Sequence, residues 1–130
     1  MQTIAGGITA PHGFLAAGIY AGIKKQEKRQ LDLALLVSEQ TGPMAGVFTT
    51  NRVAAAPVLL DRLHLKKGLG RAIFVNSGNA NACTGEPGLR AAKEMAQLVA
   101  KALDTASHTI FVGSTGVIGQ PLPIDRIVTS

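Results

Sequence analysis

Short apolar runs dominate the first half of the chain, and a helical period shows itself only once, in the second half. Residues 6–25, GGITAPHGFLAAGIYAGIKK, are rich in Gly and Ala and broken at Pro11. That pattern predicts two short strands around a turn rather than a helix. Residues 31–38, LDLALLVS, and 44–50, MAGVFTT, read as two more strands with Thr41-Gly42-Pro43 as the turn between them. Residues 55–61, AAPVLLD, read as a further strand, because Pro57 is tolerated near a strand start but not inside a helix. Short strands at this spacing predict an antiparallel meander.

The pattern then changes. Residues 72–76, AIFVN, form an apolar run of the length of a buried strand, followed by a polar loop, SGNANACTGEPG. Beyond it Leu89, Ala92, Met95 or Ala96, Val99 and Leu103 recur every three or four residues, with Arg90, Lys93, Glu94, Gln97 and Lys101 between them. That is an amphipathic helix, and Pro87 suits its first turn. Residues 108–113 give another apolar strand. Strand, loop, helix and strand make a βαβ unit, whose crossover is right-handed if its strands are parallel. The predicted fold class is therefore α/β: a layered mixed sheet, with an antiparallel meander in the N-terminal half and a βαβ unit in the C-terminal half. Residues 1–130 read as one domain.

Composition narrows the function classes. At 130 residues, 46% apolar and 16% charged, the chain has material for one core and is not disordered. Its net charge of +5 sits largely in Lys24-Lys25-Gln26-Glu27-Lys28-Arg29 and His64-Leu65-Lys66-Lys67. Both read as solvated connectors, and no aromatic residue interleaves with them as single-strand stacking needs. No nucleic-acid partner is expected. The first 23 residues carry no Lys, Arg, Asp or Glu, yet they lack a basic leader and are interrupted at Pro11-His12-Gly13. That excludes a signal peptide or membrane span as the reading. The single cysteine, Cys83, rules out an intrachain disulfide and fits a reducing compartment, so a soluble, cytoplasmic protein is expected.

Two Gly-rich segments, NSGNANACTG and GSTGVIG, each follow a predicted strand of the βαβ unit. Parallel strands would bring both to one sheet edge, where open α/β folds bind ligands. Neither matches a phosphate-binding glycine motif, and no lysine is placed to reach a phosphate. Thr115 and Gly116 suit an oxyanion hole, the first through its hydroxyl and the second through an N–H unobstructed by a Cβ. A plain tight turn explains the same residues and, on composition alone, comes first. Cys83 reads as a small buried thiol, since His12, His64 and His108 lie far from it in sequence and no metal-ligand spacing occurs. Asn76, Asn79 and Asn81 are expected to bond their own loop backbone.

The ordered segments GGITAPHGFLAAGIYAGIKK, DLALLVSE, AGVFTTNRVAAAPV, VNSGNANACTGEPGL and STGVIGQPLP span nearly the whole chain. Together they resemble the ornithine acetyltransferases of arginine biosynthesis. The resemblance implies a layered α/β precursor that cuts itself before a threonine, giving α and β chains in a cytoplasmic α2β2 assembly. The freed threonine would carry the acetyl group of N-acetylornithine to glutamate, and acetyl-CoA serves many members as a second donor. The resemblance assigns the oxyanion hole to Thr115 and Gly116 and implies no metal and no cofactor. It also implies that the nucleophile and the substrate-binding residues lie beyond Ser130, since RIVTS around Thr129 does not resemble the cleavage segment. The chain is thus expected to be an incomplete N-terminal part of the α chain, inactive alone, with the rest of the α chain and the β chain as partners. Without the resemblance, the alternative is a phosphate- or carboxylate-binding α/β module that performs no catalysis.

Overall fold

The computed structural model describes residues 5–24 and 30–130. One sheet serves both halves of the chain. Its strands β1 (Phe14–Ile19), β2 (Leu33–Pro43), β3 (Leu69–Asn79) and β4 (Ile110–Val117) lie in chain order. β1 pairs antiparallel with β2 and β2 antiparallel with β3, with Ala16 opposite Leu36 and Leu35 opposite Phe74. β3 and β4 run parallel, with Phe74 opposite Val112. The meander and the βαβ unit are both present, and they share β3. Among the described residues three α-helices accompany the sheet, α1 (Ala56–Leu65), α2 (Gly85–Ala102) and the short α3 (Ile124–Val128), and a 3-10 turn at Ser107–Thr109 leads into β4.

The core lies between one face of β3 and β4 and the apolar stripe of α2. Ala72, Phe74, Ile110 and Val112 on the strands join Ala92, Met95, Ala96 and Val99 on the helix. The small alanines let the helix approach closely, and Met95 is fully buried among them. Burying such a side chain contributes about 1.5–3 kcal/mol. The opposite stripe of α2, from Arg90 to Lys101, is in solvent as its period predicts. β1 is exposed along its whole length, including Leu15 and Ile19. Among the described residues no helix is long and apolar enough to cross a membrane.

Several sequence expectations fail locally. Residues 55–61 begin helix α1 and not a strand; Pro57 sits in its first turn, where a missing N–H breaks no helical bond. Residues 44–50 form no strand. Thr41-Gly42-Pro43 is the end of β2, beyond a register shift between Val37 and Gly42, instead of a turn. Of the two strands expected in residues 6–25, the described residues form only β1, and the segment around Pro11 is bends and turns. His64 is buried in the last turn of α1, which leaves Lys66 and Lys67 as the exposed connector. Of the basic cluster at 24–29, all but Lys24 lies outside the described residues.

Asp32 secures the crossing from β1 to β2. Its carboxylate accepts hydrogen bonds from the N–H groups of Ala21, Ile23 and Lys24 at 2.7, 2.6 and 3.1 Å. Its own N–H donates to the Ile19 carbonyl, and its carbonyl accepts from the Ser77 N–H. The segment ending at Lys24 is thereby laid over the C-terminal end of β3. A Cβ on Gly78, where φ is +110°, would stand 3.1 Å from the Lys24 nitrogen. Hydrogen bonds to a charged group contribute about 1.5–3 kcal/mol each, so this carboxylate is a principal fastener of the site's rim.

Candidate functional site

Among the described residues β4 is an edge strand, as β1 is at the other end of the sheet, and it pairs with β3 alone. In a parallel pair, alternate residues turn both backbone groups toward the neighbour. The Ala80 N–H donates to the Val117 carbonyl, which sets the phase: Thr115 and Val117 face β3, while Val112, Ser114 and Gly116 face the open side. Helix α1 covers the beginning of that open side. Its Asp61 Oδ1 accepts from the Val112 N–H at 3.0 Å, and its His64 Nδ1 lies 2.8 Å from the Ile110 carbonyl oxygen. A carbonyl only accepts, so that ring nitrogen carries a hydrogen. Two helical side chains thus stand in for a fifth strand.

The end of β3 is organised by buried asparagines. Asn76 Nδ2 donates to the Asn79 carbonyl at 2.8 Å, and Asn76 Oδ1 accepts from the Ser114 hydroxyl at 2.6 Å. Asn79 Nδ2 donates to the carbonyls of Gln120 and Pro121, and its Oδ1 accepts from the Asn81 N–H. Asn81 Nδ2 donates to the Gly88 carbonyl, while the Thr84 hydroxyl donates to Asn81 Oδ1. Gly88 is required here, since a Cβ would come within 1.9 Å of Thr84 Oγ1. The loop-backbone role expected of the three asparagines holds, and it extends to the strand and helix that flank the loop. Among the described residues no buried side-chain nitrogen or oxygen lacks a partner.

Thr115 and Gly116 lie inside β4, opposite Ser77 and Gly78, and not in a loop after it. Both are exposed. Among the described residues the Thr115 hydroxyl has no hydrogen-bond partner. Successive side chains leave a strand on opposite faces, so this hydroxyl stands off the face opposite Ser114. The Gly116 N–H points in the plane of the sheet toward the open edge. The two donors are thus adjacent along β4, one directed off the sheet face and the other along its open edge. Gly116 also has a packing reason to be glycine: its φ is +133°, and a Cβ would lie 2.3 Å from the Gly78 carbonyl carbon. A cleft of about 760 Å³ opens beside it, with Lys24, Gly78, Gln120 and Arg126 in its wall; Thr115 is not part of that wall.

Cys83 is exposed, contrary to the buried role expected of it, on the loop that leads into α2. Among the described residues no group of His, Cys, Asp and Glu could hold a metal ion. Asp61, His64 and Ser114 were not expected to matter. The signal for Asp61 and His64 was their three-residue spacing, which shares a face on a helix but not on the strand predicted there.

Residues 15–130 match the model of the ArgJ family. The chain belongs to the ArgJ family. It is 52% identical over 128 residues to the arginine biosynthesis bifunctional protein ArgJ of Caldanaerobacter subterraneus subsp. tengcongensis, covering 98% of this chain and 31% of that protein. The ArgJ protein of Symbiobacterium thermophilum is 54% identical over 127 residues, covering 98% of this chain and 32% of that protein. The crystal structure of ornithine acetyltransferase from Mycobacterium tuberculosis, complexed with ornithine, superposes with a TM-score of 0.89 at 46% identity; the match covers 95% of this chain and 66% of that one. ArgJ of Bacillus halodurans gives the same TM-score at 40% identity, over 95% of this chain and 64% of that one. The chain spans about a third of the length of the curated ArgJ relatives it matches. The family and the fold class expected from the motifs are the ones found.

Burial pushes the Asp61 carboxyl up from 3.8 to about 6, against the opposing pull of the Val112 N–H. A raised carboxyl holds a proton in the folded chain that the unfolded chain has already released. Its contribution to stability therefore falls as pH climbs from about 4 to about 6. Asp61→Asn keeps an oxygen for Val112 and removes the titration. Thermal melts across that window should show the parent losing Tm relative to Asp61→Asn as pH rises. Parallel curves would contradict the assignment.

Proposed function

We propose that this chain is the N-terminal part of a cytoplasmic α2β2 acetyltransferase that moves the acetyl group of N-acetylornithine to glutamate. On this reading a threonine outside these 130 residues attacks the acetyl carbonyl. Its oxygen bonds to the acetyl carbon, the carbon–nitrogen bond to ornithine breaks, and the threonine's proton goes, by way of a base, to the departing amine. The amine of glutamate then takes the acetyl group from the threonine, returning the proton. Acetyl-CoA, a thioester, enters the same route as a second donor.

Each half of the exchange passes through a tetrahedral centre whose oxygen becomes negative. The Gly116 N–H and the Thr115 hydroxyl donate to that oxygen. Such donors lower the barrier when they are fixed before the charge appears, and losing one costs about 2.7–4 kcal/mol. What supports the reading is a Thr115 hydroxyl without a partner among the described residues, next to a Gly116 N–H turned to the open edge, in a chain about half identical to ArgJ relatives over nearly its whole length. The ornithine bound in the M. tuberculosis relative supports an ornithine derivative as substrate.

A second reading draws on the cleft beside Gly116, whose wall carries two cations, Lys24 and Arg126, and among the described residues no carboxylate. That wall suits a phosphate or carboxylate held without catalysis. The readings part in two measurements. In the full-length protein, Thr115→Ala should slow acetyl transfer more than about tenfold with Tm unchanged; undiminished turnover would remove Thr115 from the oxyanion role. On the binding-module reading, the 130-residue chain binds phosphate or glutamate in a calorimetric titration and Arg126→Ala abolishes the binding. Absence of binding by the parent chain would discard that reading.

A further inference from the structure

We propose that Ser114 and Asn76 are positioning residues for the Thr115–Gly116 pair, a role that rests on the oxyanion reading above. An edge strand bonded on one side can roll about its ladder as about a hinge. On β4 that roll decides where the Thr115 hydroxyl and the Gly116 N–H point. Asp61 and His64 stop it at Val112 and Ile110. The Ser114–Asn76 bond is the next restraint along the strand, immediately before the pair and on the opposite face from the Thr115 hydroxyl.

The bond has a fixed polarity. Asn76 is completely buried, and its Nδ2 is committed to the Asn79 carbonyl, which can only accept. Its Oδ1 therefore faces Ser114, and Ser114 must be the donor, at 2.6 Å across a register pair of β3 and β4. The far side of the pair is held by the same segment of β3 and its loop. Ala80 holds Val117, Ala82 holds Gly119, and Asn79 holds Gln120 and Pro121. Thr115 and Gly116 thus lie between two sets of hydrogen bonds that fix the chain on either side of them. Because oxyanion stabilisation depends on donors already aimed, loosening the Ser114–Asn76 bond should slow the chemical step and leave ground-state binding alone.

The test is steady-state acetyl transfer from N-acetylornithine to glutamate by the full-length protein, with Tm measured alongside. Ser114→Ala should lower kcat by about fivefold or more with KM within about twofold, and Ser114→Thr, which keeps the hydroxyl, should recover most of it. In a Thr115→Ala background, Ser114→Ala should cost less than it costs in the parent, because one of the two donors it aims is already gone. A lowered Tm with full kcat, or losses that multiply in the double variant, would overturn the positioning role. If Thr115→Ala slows turnover while Ser114→Ala does not, this inference fails alone. If Thr115→Ala has no effect, the oxyanion reading fails and takes this inference with it.

Discussion

The one-sided hydrogen bonding of β4 is the constraint from which the rest of the site follows. A strand bonded to a single neighbour turns every second N–H and carbonyl outward, and such an edge must be covered, paired or used. Here it is covered in part. Asp61 and His64 reach from α1 to the outward groups of Val112 and Ile110, so the first half of the strand is closed without another strand. The Gly116 N–H lies beyond these contacts and keeps its donor capacity.

Leaving a donor free is useful only if the backbone bearing it is stiff. The stiffness comes from polar groups buried at the end of β3, where Asn76, Asn79 and Asn81 pass hydrogen bonds to β4, to Gln120 and Pro121 and to the first turn of α2. A buried network of this kind stabilises a unique arrangement only when each member is satisfied, since a stranded amide costs about 1–3 kcal/mol. In this chain every member has its partner. Glycine completes the arrangement at Gly116 and Gly88, where a Cβ would run into the β3 backbone and into Thr84.

The sequence announced the βαβ unit clearly, because α2 carries an uninterrupted three-and-four spacing and both its strands are continuous apolar runs. It also set Thr115 and Gly116 apart, through the loss of side chains after an apolar run. It misled at residues 55–61, where a proline near the start fits a strand and the first turn of a helix equally, and tertiary packing decides. That one error hid Asp61 and His64, since their importance depends on sharing a helical face. The role of Ser114 was out of reach for a different reason: its partner, Asn76, lies 38 residues earlier, and only the parallel register brings the two together. Likewise, the reading of NSGNANACTG and GSTGVIG as loops missed that the strands continue into both.

The oxyanion reading thus rests on a free Gly116 N–H beside the Thr115 hydroxyl. The central claim is about hydrogen-bond phase, and amide hydrogen exchange along β4 tests it most directly, residue by residue. The ladder should protect the Thr115 and Val117 amides strongly and leave the Gly116 amide exchanging near the rate of an unstructured glycine. Protection of Gly116 equal to that of its two neighbours would mean that its N–H is already spent inside the protein, and the account would be wrong at its root.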